Sequence, residues 1–78
     1  MLADLDIVKP RATATCDDGT EVPAGRHGVV CDIGTTAVLV EFVDPDGECH
    51  FCVLSYDDVE FVMTAAEAAV PSGQRRAA

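Results

Sequence analysis

The sequence predicts a small all-β fold on three observations. Its apolar residues fall in short runs rich in Val, Ile and Phe; Gly, Pro and Asp separate those runs; and helical composition appears only near the C-terminus. A chain of 78 residues, 49% of them hydrophobic, suffices for one domain and not for two. Domains of this size bury only roughly 60% of the surface of the unfolded chain, so the core will be thin.

Each element follows from local pattern. Leu5-Asp6-Ile7-Val8 opens the first strand, and Pro10, which has no N–H, must sit at an edge, a bulge or the strand's end. Arg11 to Gly25 reads as a long connection, with turns at Asp17-Asp18-Gly19 and at Val22-Pro23-Ala24-Gly25. Gly28 to Ile33 and Ala37 to Val43 form the second and third strands, a hairpin joined by Gly34-Thr35-Thr36. The period of two in the third strand puts Val38, Val40 and Phe42 in the core and Leu39, Glu41 and Val43 on the other face. In the second strand Val30 and Asp32 share one face and Val29, Cys31 and Ile33 the other. Either a bulge shifts the register or that strand is buried on both sides.

Asp44-Pro45-Asp46-Gly47 is a strong turn signal that returns a fourth strand, Glu48 to Leu54, antiparallel to the third. Ser55-Tyr56-Asp57-Asp58 resembles one helical turn, with Ser55 as its cap and Asp58 at the capping-box position. Val59 to Met63 is the fifth strand, with Val59, Phe61 and Met63 facing inward. Thr64 to Val70 is expected to form one frayed helical turn, followed by a disordered polar tail. The folded domain is thus residues 1–63, with 64–78 as an appendage. Five short strands, a long loop after the first and a single turn before the last are what a small SH3-like barrel requires, and closure would cover its edges.

The formal net charge is -9, and residues 1–63 carry 3 positive against 13 negative side chains, a net of -10. Such a surface repels phosphate backbones and anionic lipid, which excludes ordinary nucleic-acid and membrane-surface binding and makes a basic protein the natural partner. No segment approaches the 18 or so apolar residues of a membrane span, and the N-terminus lacks the basic and apolar regions of a signal peptide. A cytoplasmic location is the expectation, and in that reducing compartment the four cysteines are expected as thiols.

Asp46-Gly47-Glu48-Cys49-His50-Phe51-Cys52 is the one stretch that advertises chemistry. On a strand, Cys49 and Cys52 point to opposite faces and lie about 10 Å apart along the chain, given a rise of about 3.3 Å per residue. That separation bars a disulfide between them and a shared ion. No helix follows Cys52 to lower a thiol pKa, and Cys16, Cys31 and His27 are isolated rather than paired as structural zinc requires. The expectation is therefore no metal and no cofactor, with Cys49, His50 and Cys52 kept as the alternative ligand set. His50 is expected to be a partly exposed strand residue sharing a face with Cys52 and Leu54. The aspartates sit in turns, where Asp is favoured for local backbone hydrogen bonds, so no catalytic residue is assigned.

The phrases PAGRHGVVCDI (Pro23 to Ile33), VLVEFVDPDG (Val38 to Gly47) and CVLSYDDVEFV (Cys52 to Val62) resemble the small bacterial proteins grouped as domain of unknown function 4926. Those share a Gly-rich lead-in to the second strand, a V-E-F-x-D-x-x-G hairpin and a closing leucine-serine segment. The resemblance covers about residues 5–63. It implies an SH3-like barrel without catalytic residues, of a kind associated with companion, antitoxin or accessory proteins. The long TATCDDGTEV connection and the Cys and His content of the fourth strand depart from that pattern.

Together these readings predict a non-enzymatic acidic interaction module, antitoxin-like or accessory, that binds a basic partner protein as a monomer or small homo-oligomer. The candidate partner-binding residues are Asp17, Asp18, Glu21, Asp44, Asp46, Asp57 and Asp58. Two alternatives are a metal-binding or redox protein built on Cys49-His50-Phe51-Cys52 and a nucleic-acid mimic.

Overall fold

The valine-rich runs become strands in the computed structural model, which describes residues 2–69. In chain order these are β1 (Ile7–Pro10), β2 (Ala14–Thr15), β3 (Glu21–Val22), β4 (Gly28–Ile33), β5 (Ala37–Val43), β6 (Cys49–Ser55) and β7 (Val59–Met63). A 3-10 turn, Tyr56–Asp58, precedes β7, and a single helical turn, α1 (Ala65–Ala68), follows it. Five strands make one antiparallel sheet in the order β6-β5-β4-β1-β7, and β2 and β3 form a separate hairpin. The expected all-β fold, its five main strands and the turn before the last of them are all present.

The period of two organises the core as expected. Val38, Val40 and Phe42 of β5 are buried together with His50, Cys52 and Leu54 of β6, while Cys49, Phe51 and Val53 face outward. Between the strands runs an unbroken register from Ala37 opposite Ser55 to Val43 opposite Cys49. The hairpin closes through the predicted turn, where the Gly47 N–H donates to the Asp44 carbonyl at 2.8 Å. Gly47 has φ of 90°, in the left-handed region that glycine enters without a Cβ penalty.

In β4 the two open alternatives are settled in favour of the bulge. The register with β5 shifts between Val30 and Asp32, so the extra residue, Cys31, turns outward while Val30 stays fully buried. At the start of that strand Gly28 lies under the Phe42 ring. A Cβ there would stand 2.6 Å from Phe42 Cε1 and 2.7 Å from Val40 Cγ1, so the core requires a residue without a side chain.

Three expectations need correction. The Arg11 to Gly25 connection is not plain loop, because Ala14-Thr15 and Glu21-Val22 pair around Asp17-Asp18-Gly19 and bury Ala14, Cys16 and Val22. Two-residue strands lie below the length at which alternation can be recognised. In β7 only Val59 is fully inward. Phe61 is 50% exposed and Met63 half-buried, because β7 is an edge strand with a neighbour on one side only; past Phe61 its register with β1 shifts. Ser55 makes no side-chain cap to backbone; its hydroxyl donates instead to Asp58 Oδ2 at 3.0 Å.

The expected single helical turn after β7 is present and carries a full capping box. Thr64 Oγ1 accepts from the Glu67 N–H at 3.1 Å, and Glu67 Oε1 accepts from the Thr64 N–H at 2.9 Å. The spacing T-A-A-E is the sequence signature of that box. The expectation of a disordered tail falls on residues 71–78, outside the described residues.

Candidate functional site

The β2–β3 hairpin is fastened to β6 by three consecutive residues. Cys16 is disulfide-bonded to Cys52, the Asp17 N–H donates to the Phe51 carbonyl at 3.0 Å, and Asp18 Oδ2 lies 2.7 Å from His50 Nδ1. Residues 16, 17 and 18 thus run antiparallel against 52, 51 and 50. The disulfide corrects the expectation that all four cysteines are thiols. Cys16 and Cys52 are 36 residues apart, and no local pattern relates them.

His50 is the second correction. Only 8% of it is exposed, since it shares the inward face with Cys52 and Leu54 at the end of the sheet where two turns meet. Its Nε2 lies 2.7 Å from Asp44 Oδ2, its Nδ1 2.7 Å from Asp18 Oδ2, and Thr20 Oγ1 is 3.3 Å from Nδ1. The imidazole therefore bridges the β2–β3 turn to the β5–β6 turn. Hydrogen bonds to Asp44 and then Asp18 raise its pKa, since two carboxylates stabilise the imidazolium. Asp18 is lowered to about 2, mainly by the Thr20 N–H it accepts and next by His50.

A pH dependence follows from these directions. The stabilisation from Asp18 is complete above its reference value of 3.8 and is lost as pH falls toward about 2. That from His50 is complete below 6.5 and is lost as pH rises through its raised folded-state pKa. Thermal midpoints measured from pH 3 to 9 should hold a plateau between these limits and decline on the alkaline side. His50→Gln should remove the alkaline decline attributable to this bridge.

Of the expected partner-binding residues, the structure brings together Asp18 and Asp44 through His50. Asp17 neighbours Asp18, Asp46 lies in the same turn as Asp44, and Glu21 pairs with Thr15 in the adjoining hairpin. Asp57 and Asp58 sit beyond the other end of β6, a seven-residue strand of about 20 Å away. The acidic residues thus form two clusters and not one surface.

The alternative ligand set does not converge. Cys52 is bonded to Cys16, and Cys49 lies on the opposite face from His50. A different trio, Asp44, Glu48 and His50, offers ligand atoms within 4.8 Å of one another. Both ring nitrogens of His50 are already within hydrogen-bond reach of carboxylates, so a protonated imidazole accounts for this cluster without an ion.

The outward face of β5 and β6 is the feature that sequence reasoning missed. Phe51 stands opposite Glu41, Val53 opposite Leu39 and Cys49 opposite Val43. Val53 is 62% exposed, Val43 50% and Phe51 40%. Cys31 and Cys49 flank Glu41 on this face, and both thiols have raised pKa values, Cys31 chiefly through burial and Cys49 through its hydrogen bond with Glu41. Thiols held protonated are poor nucleophiles. The alternation of β6 marked these positions as outward, but solvent and a partner leave the same pattern in a sequence. Among the described residues no helix is long and apolar enough to cross a membrane. No family model, curated protein or solved structure matches the chain.

Proposed function

We propose that this chain is a non-enzymatic interaction module, of the antitoxin-like or accessory kind, that binds a basic partner protein through the outward face of β5 and β6. The observation that carries this reading is the strip Val43, Phe51 and Val53, exposed on a chain of net charge -9. An apolar strip among acidic residues is complementary to a partner that combines apolar contacts with positive charge. The edge position of β6 supports the reading as well, since it puts the strip at the margin of the sheet.

Val53→Lys tests this directly. The side chain is exposed, so the fold should be kept, while a cation in the strip should repel a basic partner and remove its apolar contact. Full-length protein immobilised in extract of its own cells is expected to retain a basic protein at low and moderate salt, and Val53→Lys to lose it. Absence of any basic protein whose retention depends on Val53 would overturn the proposal.

A further inference from the structure

An open groove of about 940 Å³ lies away from the β5–β6 strip, between the segment preceding β1, the β4–β5 turn and β7. Its walls include Leu2, Ile33, Tyr56, Val59 and Phe61, and Asp6 lines it as well. This volume is in the range of ligand sites and exceeds that of a packing defect.

Asp6 gives the groove its chemistry. The residue is only 6% exposed and is held rigidly: its N–H donates to the Ala3 carbonyl at 3.1 Å, and its own carbonyl accepts the Val30 N–H at 2.9 Å. One carboxylate oxygen, Oδ2, accepts the Ala3 N–H at 2.9 Å. Among the described residues no donor reaches the other oxygen and no cation pairs with the carboxylate. No side-chain oxygen of the described residues is both sealed from solvent and unpartnered, so Oδ1, on a side chain that lines the groove, is accessible to solvent. A carboxylate on a side chain this buried, with one oxygen accessible and no cation beside it, offers an acceptor to a positive group.

The aromatic rings complete the match. The Tyr56 hydroxyl donates to the Gly34 carbonyl at 2.6 Å, which locks that ring against the β4–β5 turn. Phe61 stands half exposed on the edge strand β7. A planar cation is attracted to aromatic faces while its N–H groups bond a carboxylate, and guanidinium suits that combination better than ammonium. We infer that this groove receives an arginine side chain of a basic protein segment, with Asp6 as the anion and Tyr56 and Phe61 as its aromatic walls. The inference deepens the proposed function and rests on it for the nature of the partner. The groove itself can be examined alone.

The experiment is an amide NMR titration of the full chain with N-acetyl-arginine amide and its uncharged isostere N-acetyl-citrulline amide. Arginine amide is expected to bind saturably, with shifts centred on Ala3, Asp6, Gly34, Thr35 and Phe61, and citrulline amide roughly tenfold or more weakly. Asp6→Asn, which can still accept the Ala3 N–H, should weaken arginine binding by roughly tenfold. Phe61→Ala, at an exposed site that does not threaten folding, should weaken it about threefold.

Equal binding of citrulline amide, shifts centred on the turns carrying Asp18 and Asp44, or wild-type binding by both variants would overturn the inference. The two readings fail separately. Loss of partner capture with arginine binding intact removes only the β5–β6 proposal, whereas a Val53-dependent partner with no arginine binding removes only the groove.

Discussion

Reduction of the Cys16–Cys52 disulfide is expected to lower the free energy of unfolding by about 4 kcal/mol. The bond spans 36 residues, and cross-linking a loop of that length removes about this much chain entropy from the unfolded ensemble. For a domain whose total stability is about 5–15 kcal/mol, the loss is a large fraction. Urea unfolding in the presence and absence of reductant measures it, and the Cys16→Ala/Cys52→Ala double variant should reproduce the reduced value. Because Cys16 is the first of three ties that fasten the β2–β3 hairpin to β6, amide exchange should quicken first at residues 14–22. Coincident transitions with and without reductant would show that the bond is not formed in solution.

Phe42→Ala is expected to cost about 3–5 kcal/mol, the usual range for removing a fully buried aromatic ring. Phe42 is the largest fully buried side chain, in a core otherwise built mainly from valines, so its neighbours have little volume with which to fill the gap. Gly28 offers an independent check on the same contact. Gly28→Ala would press a methyl group against Phe42 Cε1 and Val40 Cγ1 and should cost about 1–3 kcal/mol by overpacking. In a Phe42→Leu background that penalty should shrink, giving a coupling measurable by a double-mutant cycle on urea midpoints. Additive penalties would mean that the ring does not lie over Gly28.

How much could be read beforehand depended on the range of the interaction. Val38, Val40 and Phe42 were assigned inward because a strand alternates faces, which is a property of a few adjacent residues. The same rule separated Cys49 from Cys52. For His50 it gave the right face and the wrong exposure: alternation placed the ring beside Cys52 and Leu54, but whether that end of the sheet is covered depends on a hairpin 30 residues away. Phe61 failed in the opposite sense, because β7 is an edge strand with a neighbour on one side only.

The candidate sites divide in the same way. The acidic balance, the turn aspartates and the outward positions of β6 were open to sequence reading. That Asp18 and Asp44 converge on one imidazole, and that Asp6 sits beside Tyr56 and Phe61 in a groove, were not.

The all-β class, the five principal strands, the Asp44 to Gly47 turn and the core face of β5 follow from local residue order, since dihedral preferences and side-chain alternation act between near neighbours. The Cys16–Cys52 bond, the burial of His50 and the assembly of the groove arise from long-range packing. Each of these depends on which segments meet after the chain has turned back on itself, and that choice is made by the packing of the whole core rather than by any single stretch of residues.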